Sequence, residues 1–311
     1  MKAAILGAGV IGAGWAARFL LHGWDVAIFD PAGRQTVIEQ TLTQGRMMVS
    51  ELYATRPPEG QLTHCNTLPE AIDQADWIQE SLPEDLALKQ QALQQMNENS
   101  GALLCSSTSG FTPTALGANL PAQDRLLVCH PFNPVYLLPV VEVVPHVEVS
   151  AATLDRCMAQ LRDIGMKPVH VRKEIDAHIA DRLLEAMWRE ALWLVKDGVA
   201  TTEEIDTLIT HGFGLRWAQM GLFDTYRLGG GEAGLAAFLA QFGPALEWPW
   251  SRLTDVPALD EELINTLVTQ SDAQSGHLSN AQMMQQRDQA LVAILQALKE
   301  HGLGAGDHFN R

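Results

Sequence analysis

The chain has 311 residues, a length that suits two domains of ordinary size. Its 47% hydrophobic and 19% charged residues are the composition of a globular protein, which excludes a disordered chain, a coiled coil or a collagen. Acidic residues number 37 against 21 basic ones, a formal charge of −16, so nucleic acid and anionic membrane are poor partners and a cationic or zwitterionic small molecule is a suitable one.

Ala3–Leu6 is a short apolar run that stops at glycine, as a buried parallel strand does, and residues 10–22 then carry helical periodicity. The segment 1–21 is apolar behind Lys2, but its glycines at 7, 9, 12 and 14 disfavour a signal helix, and no stretch reaches the roughly 18 to 20 apolar residues that span a bilayer. A second strand, Val26–Phe29, ends at Asp30. A helix is expected over 34–53, broken by Pro57 and Pro58. Residues 76–79, 102–105, 126–129, 140–144 and 168–171 are further short apolar runs, mostly separated by helical or polar segments. Alternation of this kind predicts a mostly parallel sheet with helices on both faces, an α/β Rossmann-type arrangement. From Ile179 to Lys196 the period becomes helical, Thr201 with Glu204 reads as a capping box, and more helices are expected at 232–242, 260–272 and 279–300. The expected organisation is therefore a nucleotide-binding domain over 1–175 and an all-α domain over 176–311. The four cysteines, Cys65, Cys105, Cys129 and Cys157, show no zinc-type spacing, so a soluble, reduced, cytoplasmic protein without a structural metal is expected.

Gly7-Ala8-Gly9-Val10-Ile11-Gly12 is a GxGxxG loop between a strand and a helix. The first glycine permits the tight turn, and the second lets the backbone approach a pyrophosphate at the helix N-terminus. Asp30, at the end of the second strand, is placed to accept from ribose hydroxyls and to repel a 2′-phosphate, which selects NAD over NADP. Arg34 lies nearby and opposes that choice. His130-Pro131-Phe132-Asn133-Pro134 follows directly on an apolar strand, the place where open sheets bind ligands. Glu142 interrupts the apolar run Val140–Val144, where a carboxylate is costly unless paired. An imidazole–carboxylate pair would resolve the cost and make a general base. The alternative is a structural histidine and a solvent-facing glutamate.

These segments resemble the 3-hydroxyacyl-CoA dehydrogenase family over essentially the whole chain. The resemblance rests on GAGVIG at 7–12, PEDLALK at 83–89, SSTSG at 106–110, HPFNPV at 130–135, VVEVV at 140–144 and ADRLLEA at 180–186. It implies an NAD-binding domain followed by a helical substrate and dimerisation domain, and hence a homodimer. It further implies that His130 is the catalytic base, Glu142 its partner, Ser109 a donor to the substrate oxygen and Asn133 a group beside the nicotinamide. Glu84 and Lys89 would contact the cofactor. Helix-cap and surface-pair readings stay open for Ser109 and for Glu84 with Lys89. Segments 130–144, 181–192, 198–206 and 240–246 are similar to the carnitine-oxidising branch of the family, which implies oxidation of the 3-hydroxyl of L-carnitine to 3-dehydrocarnitine. Another 3-hydroxy acid (an acyl-CoA or L-gulonate) and a non-catalytic NAD-binding role are the alternatives. The run 34–62, with only Arg34, Arg46 and Arg56, lacks the lysines that an acyl-CoA would call for.

Two departures stand out. Asp176-Ala177-His178 replaces the Pro-Gly-Phe of the family, and Asp181 replaces an asparagine of its acyl-CoA members, as it does in the carnitine branch. A trimethylammonium is recognised by aromatic faces and carboxylates. The candidates are Phe132, Tyr136, Trp188 and Trp217, with Trp193, Phe223, Tyr226, Trp248 and Trp250 as further aromatics and Asp181 as the carboxylate, in a pocket expected between the domains. Arg182, Arg189 and Arg216 are candidates for the substrate carboxylate. The competing reading makes these tryptophans core or dimer-interface residues.

Overall fold

A computed structural model describes the chain except residues 54–55, 98–100, 219–220, 231–233, 243–249, 252–259, 264, 267–268, 270–276, 278–279 and 311. It divides into two compact units, Met1–Asp181 and Arg182–Arg311.

The first unit is built on one eight-stranded sheet: β1 (Lys2–Leu6), β2 (Asp25–Phe29), β3 (Leu62–His64), β4 (Trp77–Glu80), β5 (Leu103–Ser106), β6 (Leu126–Pro131), β7 (Val140–Pro145) and β8 (Lys167–His170). The spatial order is β3-β2-β1-β4-β5-β6-β7-β8. Seven of these strands match the apolar runs read from the sequence. The eighth, β3, is three residues long with only Leu62 partly buried, too short and too polar to stand out. Pairing is parallel from β3 through β6, reverses between β6 and β7, and is parallel again between β7 and β8. The reversal sets His130 directly opposite Glu142.

Helices α1 (Val10–Leu21), α2 (Gln35–Leu52), α3 (Leu68–Ile72), α4 (Leu86–Met96), α5 (Pro113–Gly117) and α6 (Ala151–Asp163) accompany the sheet. One face is filled by Leu6, Ile78, Leu104 and Val128 of the strands with Leu93, Met96 and Leu116 of α4 and α5. Phe19 of α1 packs between Trp24 and Trp77, at ring separations of 5.1 and 5.7 Å. Starts are set by side chains that accept orphan N–H groups: Thr67 with Glu70 at α3, Asp85 at α4, Thr112 at α5 and Ser150 at α6. Because Thr112 caps α5, Ser109 is not that cap. Arg18 of α1 is fully buried and donates through Nε and Nη2 to the carbonyls of Val135 and Leu138, which ties α1 to the segment after His130.

The second unit is helical, with no strand among its described residues. Helix α7 (Ala180–Lys196) leads into it, followed by Thr202–Leu208, where the Thr201–Glu204 capping box forms as the sequence predicts. Further helices run over Gly214–Trp217, Leu222–Gly229, Gly234–Phe242 and Asn280–His301. Tyr226 stacks on Phe238 at 4.7 Å, and Leu192, Val195, Val292, Leu295 and Leu298 are buried. Part of the expected helix 260–272, residues 243–246 and Trp248 lie outside the described residues. No helix of the described residues is long and apolar enough to cross a membrane.

Candidate active site

The carboxyl ends of β1, β2 and β4 carry the first half of the site. Gly7 has φ +87°, and a Cβ there would lie 2.7 Å from the Ser81 carbonyl oxygen, so the turn admits glycine only. A Cβ on Gly12 would meet the Gly7 oxygen at 1.9 Å, which locks α1 against the turn. Gly9 is different: its Cβ would meet a single atom, Arg34 Nη1 at 3.8 Å, so the protein itself leaves that space open. Gly9 is also the N-cap of α1, with no side-chain cap on the helix. Free N–H groups, the positive end of the helix dipole and an approach without a Cβ are what a pyrophosphate needs. Ala8 is buried in the turn, Val10 is exposed at the start of α1, and Ile11 is half-buried.

Beside this turn lies a cavity of about 350 Å3, walled by Leu6, Phe29, Leu68, Leu82, Pro83 and Leu88 among others, with Asp30 and Arg34 as its charged groups. The apolar walls suit an adenine, and Asp30 suits its ribose. Asp30 Oδ2 accepts the Arg34 backbone N–H at 2.8 Å, whereas the Arg34 guanidinium stays 3.9 Å from Oδ1 and is half-exposed. The fit to NAD therefore rests on the uncapped helix, the open face of Gly9 and the carboxylate in the cavity wall.

Next to the cavity a buried charge network ties α4 to the ends of β4 and β5. Lys89, only 1% exposed, donates to Glu80 Oε1 at 2.9 Å and to the Leu82 carbonyl at 3.1 Å, and lies 3.3 Å from Glu84 Oε2. Its three protons are thereby matched with three acceptor groups. Glu80, fully buried, also accepts from Ser106 Oγ and from the Leu82 N–H. Glu84 accepts from Thr108 Oγ1 and from the Gly110 N–H at 3.2 Å. The Lys89 ammonium is enclosed by these acceptors, where it secures Glu84 and the β4 end. Glu84, partly exposed, keeps an accessible face. The sequence reading missed Glu80 and Thr108. A polar Gln79–Glu80 pair closing an apolar strand was the available signal.

The second half of the site is centred on β6 and β7. His130 and Glu142 are both buried, and His130 Nδ1 lies 2.9 Å from Glu142 Oε2. Glu142 Oε1 accepts the backbone N–H groups of Ile179 at 2.9 Å and Ala180 at 3.1 Å. Burial alone would raise the Glu142 carboxyl, but the hydrogen bonds from His130, Ile179 and Ala180 outweigh it and hold the group below the ordinary glutamate range. An ionised carboxylate is acceptor-only, so Nδ1 carries the imidazole proton and Nε2 carries the lone pair. That is the tautomer of a general base.

Around this pair, Phe132 packs on the His130 ring at 5.4 Å, and His178 packs on it at 5.6 Å. Asn133 is exposed, and Ser109 is half-buried on the loop after β5. Asp181 is half-buried at the start of α7. Tyr136 is 5% exposed and packs at Gly45 of α2, where a Cβ would come within 3.6 Å of its ring. Trp188 and Trp217 belong to the second unit. Trp188 is exposed on α7, and Trp217 packs on Phe213 at 4.7 Å. Cys105, Cys129 and Cys157 meet behind the sheet, fully buried, with their sulfurs within 4.8 Å of one another. Cys105 of β5 and Cys129 of β6 meet Cys157 of α6, an approach that spacing along the chain conceals. Burial pushes the Cys105 and Cys129 thiols up, so they pack as neutral groups.

Comparison with known families decides the chain's membership. Residues 2–175 match the model of the 3-hydroxyacyl-CoA dehydrogenase NAD binding domain, and residues 178–263 match that of the 3-hydroxyacyl-CoA dehydrogenase C-terminal domain. The chain belongs to the 3-hydroxyacyl-CoA dehydrogenase family. Its first half is accordingly an NAD-binding domain. Among curated relatives it is 54% identical to an L-carnitine dehydrogenase/betainyl-CoA thioesterase of Ruegeria pomeroyi, a match covering 99% of this chain and 64% of that protein. It therefore spans somewhat less than two thirds of that relative. An L-carnitine dehydrogenase of Mesorhizobium japonicum is 48% identical over 98% of this chain and 85% of that one, and one of Pseudomonas putida is 44% identical over 98% and 97%. Among solved structures, an NAD+-dependent dismutase, FHMPC 5-dehydrogenase, superposes with a TM-score of 0.82 at 25% identity, covering 96% of this chain and 98% of that one.

Proposed function

We propose that the protein oxidises the 3-hydroxyl of L-carnitine to 3-dehydrocarnitine with NAD. The observation that carries this reading is the His130–Glu142 pair, buried and hydrogen-bonded, in a chain 44% identical to an L-carnitine dehydrogenase and 54% identical to an L-carnitine dehydrogenase/betainyl-CoA thioesterase. Bound NAD supplies the hydride acceptor. His130 Nε2 takes the hydroxyl proton, and Glu142 stabilises the imidazolium that results. Ser109 and Asn133 hold the reacting oxygen and the carboxamide, with Glu84 on the cofactor. Asp30 accepts the adenosine ribose and disfavours a 2′-phosphate.

The cationic head is read by a carboxylate and by aromatic faces. Asp181 is the carboxylate, a choice supported by its place at the start of α7, directly after the turn that binds Glu142. Phe132, whose ring packs on His130, supplies an aromatic face beside the base, and Trp188 and Trp217 are further members of the set. For the substrate carboxylate, Arg182 and Arg216 are favoured over Arg189, which lies 3.6 Å from Glu185. Leu183, Leu184, Met187 and Trp188 leave an exposed apolar stripe on α7, which supports a homodimer through the helical unit. The reduced thiols support a cytoplasmic setting.

Initial rates of NADH formation with L-carnitine, 3-hydroxybutyryl-CoA and L-gulonate test the reading. The expected result is a kcat/KM for L-carnitine far above the other two. Turnover of either alternative in preference to carnitine refutes it. Sedimentation at several concentrations tests the dimer.

A further inference from the structure

The turn that follows Glu174 contains two residues in the left-handed region, Ala177 at φ +59° and His178 at φ +50°. Histidine tolerates that region better than most side chains, whereas alanine there is uncommon, and two such residues in succession persist only where surrounding contacts hold them. The product of this backbone path is specific. It leaves the N–H groups of the next two residues, Ile179 and Ala180, pointing at Glu142 Oε1.

The contacts that hold the turn centre on His178. Its ring is fully buried, and its Nε2 lies 3.2 Å from the carbonyl oxygen of Thr108. A carbonyl can only accept, so Nε2 bears the ring proton and Nδ1 is left as a bare lone pair. Nδ1 is buried and has no hydrogen-bond partner. Burial disfavours protonation of this ring, as does the neighbouring His130, while the Thr108 carbonyl, Glu142 and Asp181 favour it, and the balance holds His178 below the ordinary histidine value. One neutral side chain therefore touches three parts of the site: the loop that carries Ser109, the ring of His130 and the turn that binds Glu142.

We propose that His178 is a positioning residue of the catalytic pair: by fastening the 177–178 turn to the Thr108 carbonyl, it aims the Ile179 and Ala180 N–H groups at Glu142 and so fixes the carboxylate that orients His130. The proposal rests on reading His130 and Glu142 as the working pair, and it assigns His178 no contact with the substrate. Phenylalanine, which the family carries here after a glycine, fills the ring volume and removes the N–H donor, while Ala177, unlike that glycine, needs an outside contact to hold its left-handed φ. Glutamine places an amide N–H near the position of Nε2.

The test has one arm that needs no substrate. In protein labelled with 13C at glutamate carboxyls, the Glu142 signal of the wild type titrates below the ordinary glutamate range. In His178→Phe its midpoint moves up, because two of the hydrogen bonds holding the anion are lost. In His178→Gln it stays near the wild type. The second arm is turnover with NAD and L-carnitine: His178→Phe lowers kcat by roughly tenfold to a hundredfold with both KM values little changed, and His178→Gln recovers most of the loss. An unmoved Glu142 titration in His178→Phe overturns the proposal even if the variant is less stable. Should His178→Phe not fold, 15N shifts of the wild-type ring decide. A proton on Nδ1, or a ring that titrates as an exposed histidine does, overturns the proposal, and a bare Nδ1 with a protonated Nε2 supports it. Absence of carnitine turnover in the wild type strikes at the proposed substrate and leaves the carboxyl titration standing as a test of His178.

Discussion

Glu142→Gln isolates what the carboxylate does for His130, because it changes one oxygen to an amide nitrogen at nearly constant volume. Glu142 meets three donors: Nδ1–H of His130 on Oε2, and the Ile179 and Ala180 N–H groups on Oε1. A glutamine has one oxygen to offer. If its NH2 faced the two backbone N–H groups, donors would meet donors, and two buried N–H groups left unpaired cost about 1–3 kcal/mol each. The oxygen therefore stays with the backbone and the NH2 faces His130. Nδ1 must then accept, the ring proton moves to Nε2, and the atom that should take the substrate proton is already protonated. Loss of a positioned base in this way lowers kcat by about 10²- to 10⁴-fold, or about 3–5 kcal/mol of barrier. Initial rates of NADH formation measure the loss, and equilibrium dialysis of NAD checks that the cofactor site is intact. A Glu142→Gln enzyme that keeps more than about a tenth of the wild-type kcat refutes the tautomer argument. The same substitution changes acid stability. Glu142 is held below the ordinary glutamate range when folded, so its contribution is complete above that range and is lost as pH falls through the lowered value. Urea unfolding should show a shallower acid decline for Glu142→Gln than for the wild type.

Asp30→Ala should weaken NAD by roughly tenfold and narrow the preference over NADP, since Asp30 is the carboxylate in the cavity wall and Arg34 remains to meet a 2′-phosphate. A wild-type preference for NADP would defeat that assignment. Lys89→Met leaves Glu80 buried without its cation and should cost about 3–5 kcal/mol in urea unfolding, with a destabilisation below about 1 kcal/mol arguing that water reaches the site. Asp181→Asn should raise the KM for carnitine and spare a neutral carbon isostere. Equal effects on both substrates would make Asp181 structural.

The parts of this molecule that were legible in the sequence are those whose chemistry is written locally. The glycine loop, Asp30 and the strands on either side of them form one continuous pattern, and both Gly7 and Gly12 sit where a side chain would strike backbone. The His130–Glu142 pair was legible for a different reason: a carboxylate inside an apolar run implies a buried partner, and the strand end supplied one. What stayed hidden depends on register between distant segments. Nothing local marks β7 as reversed, brings Thr108 to Glu84 and His178, or gathers Cys105, Cys129 and Cys157 into one cluster. The surroundings of Lys89 and Tyr136 were hidden too, because residue type does not disclose burial. Lys89 is as enclosed as a core leucine, and Tyr136 lies under α2.

The reversal of β7 also bears on how the machinery is assembled and lost. Elsewhere in the sheet, side-by-side strands are parallel and demand a long crossover. β6 and β7 are joined by residues 132–139 alone, so base and orienter are only twelve positions apart in the chain. The entropy spent on closing a loop grows with its length, and this loop is short. The juxtaposition of the two side chains is thus a product of local folding, set as soon as one hairpin-like ladder zips up, whereas the Ile179 and Ala180 N–H groups that fix the carboxylate arrive from farther along the chain. The same economy couples their fates. Opening that ladder exposes both groups together, so amide exchange should report β6 and β7 as one cooperative segment, and any solvent or temperature that frays it removes proton acceptor and orienter in a single event.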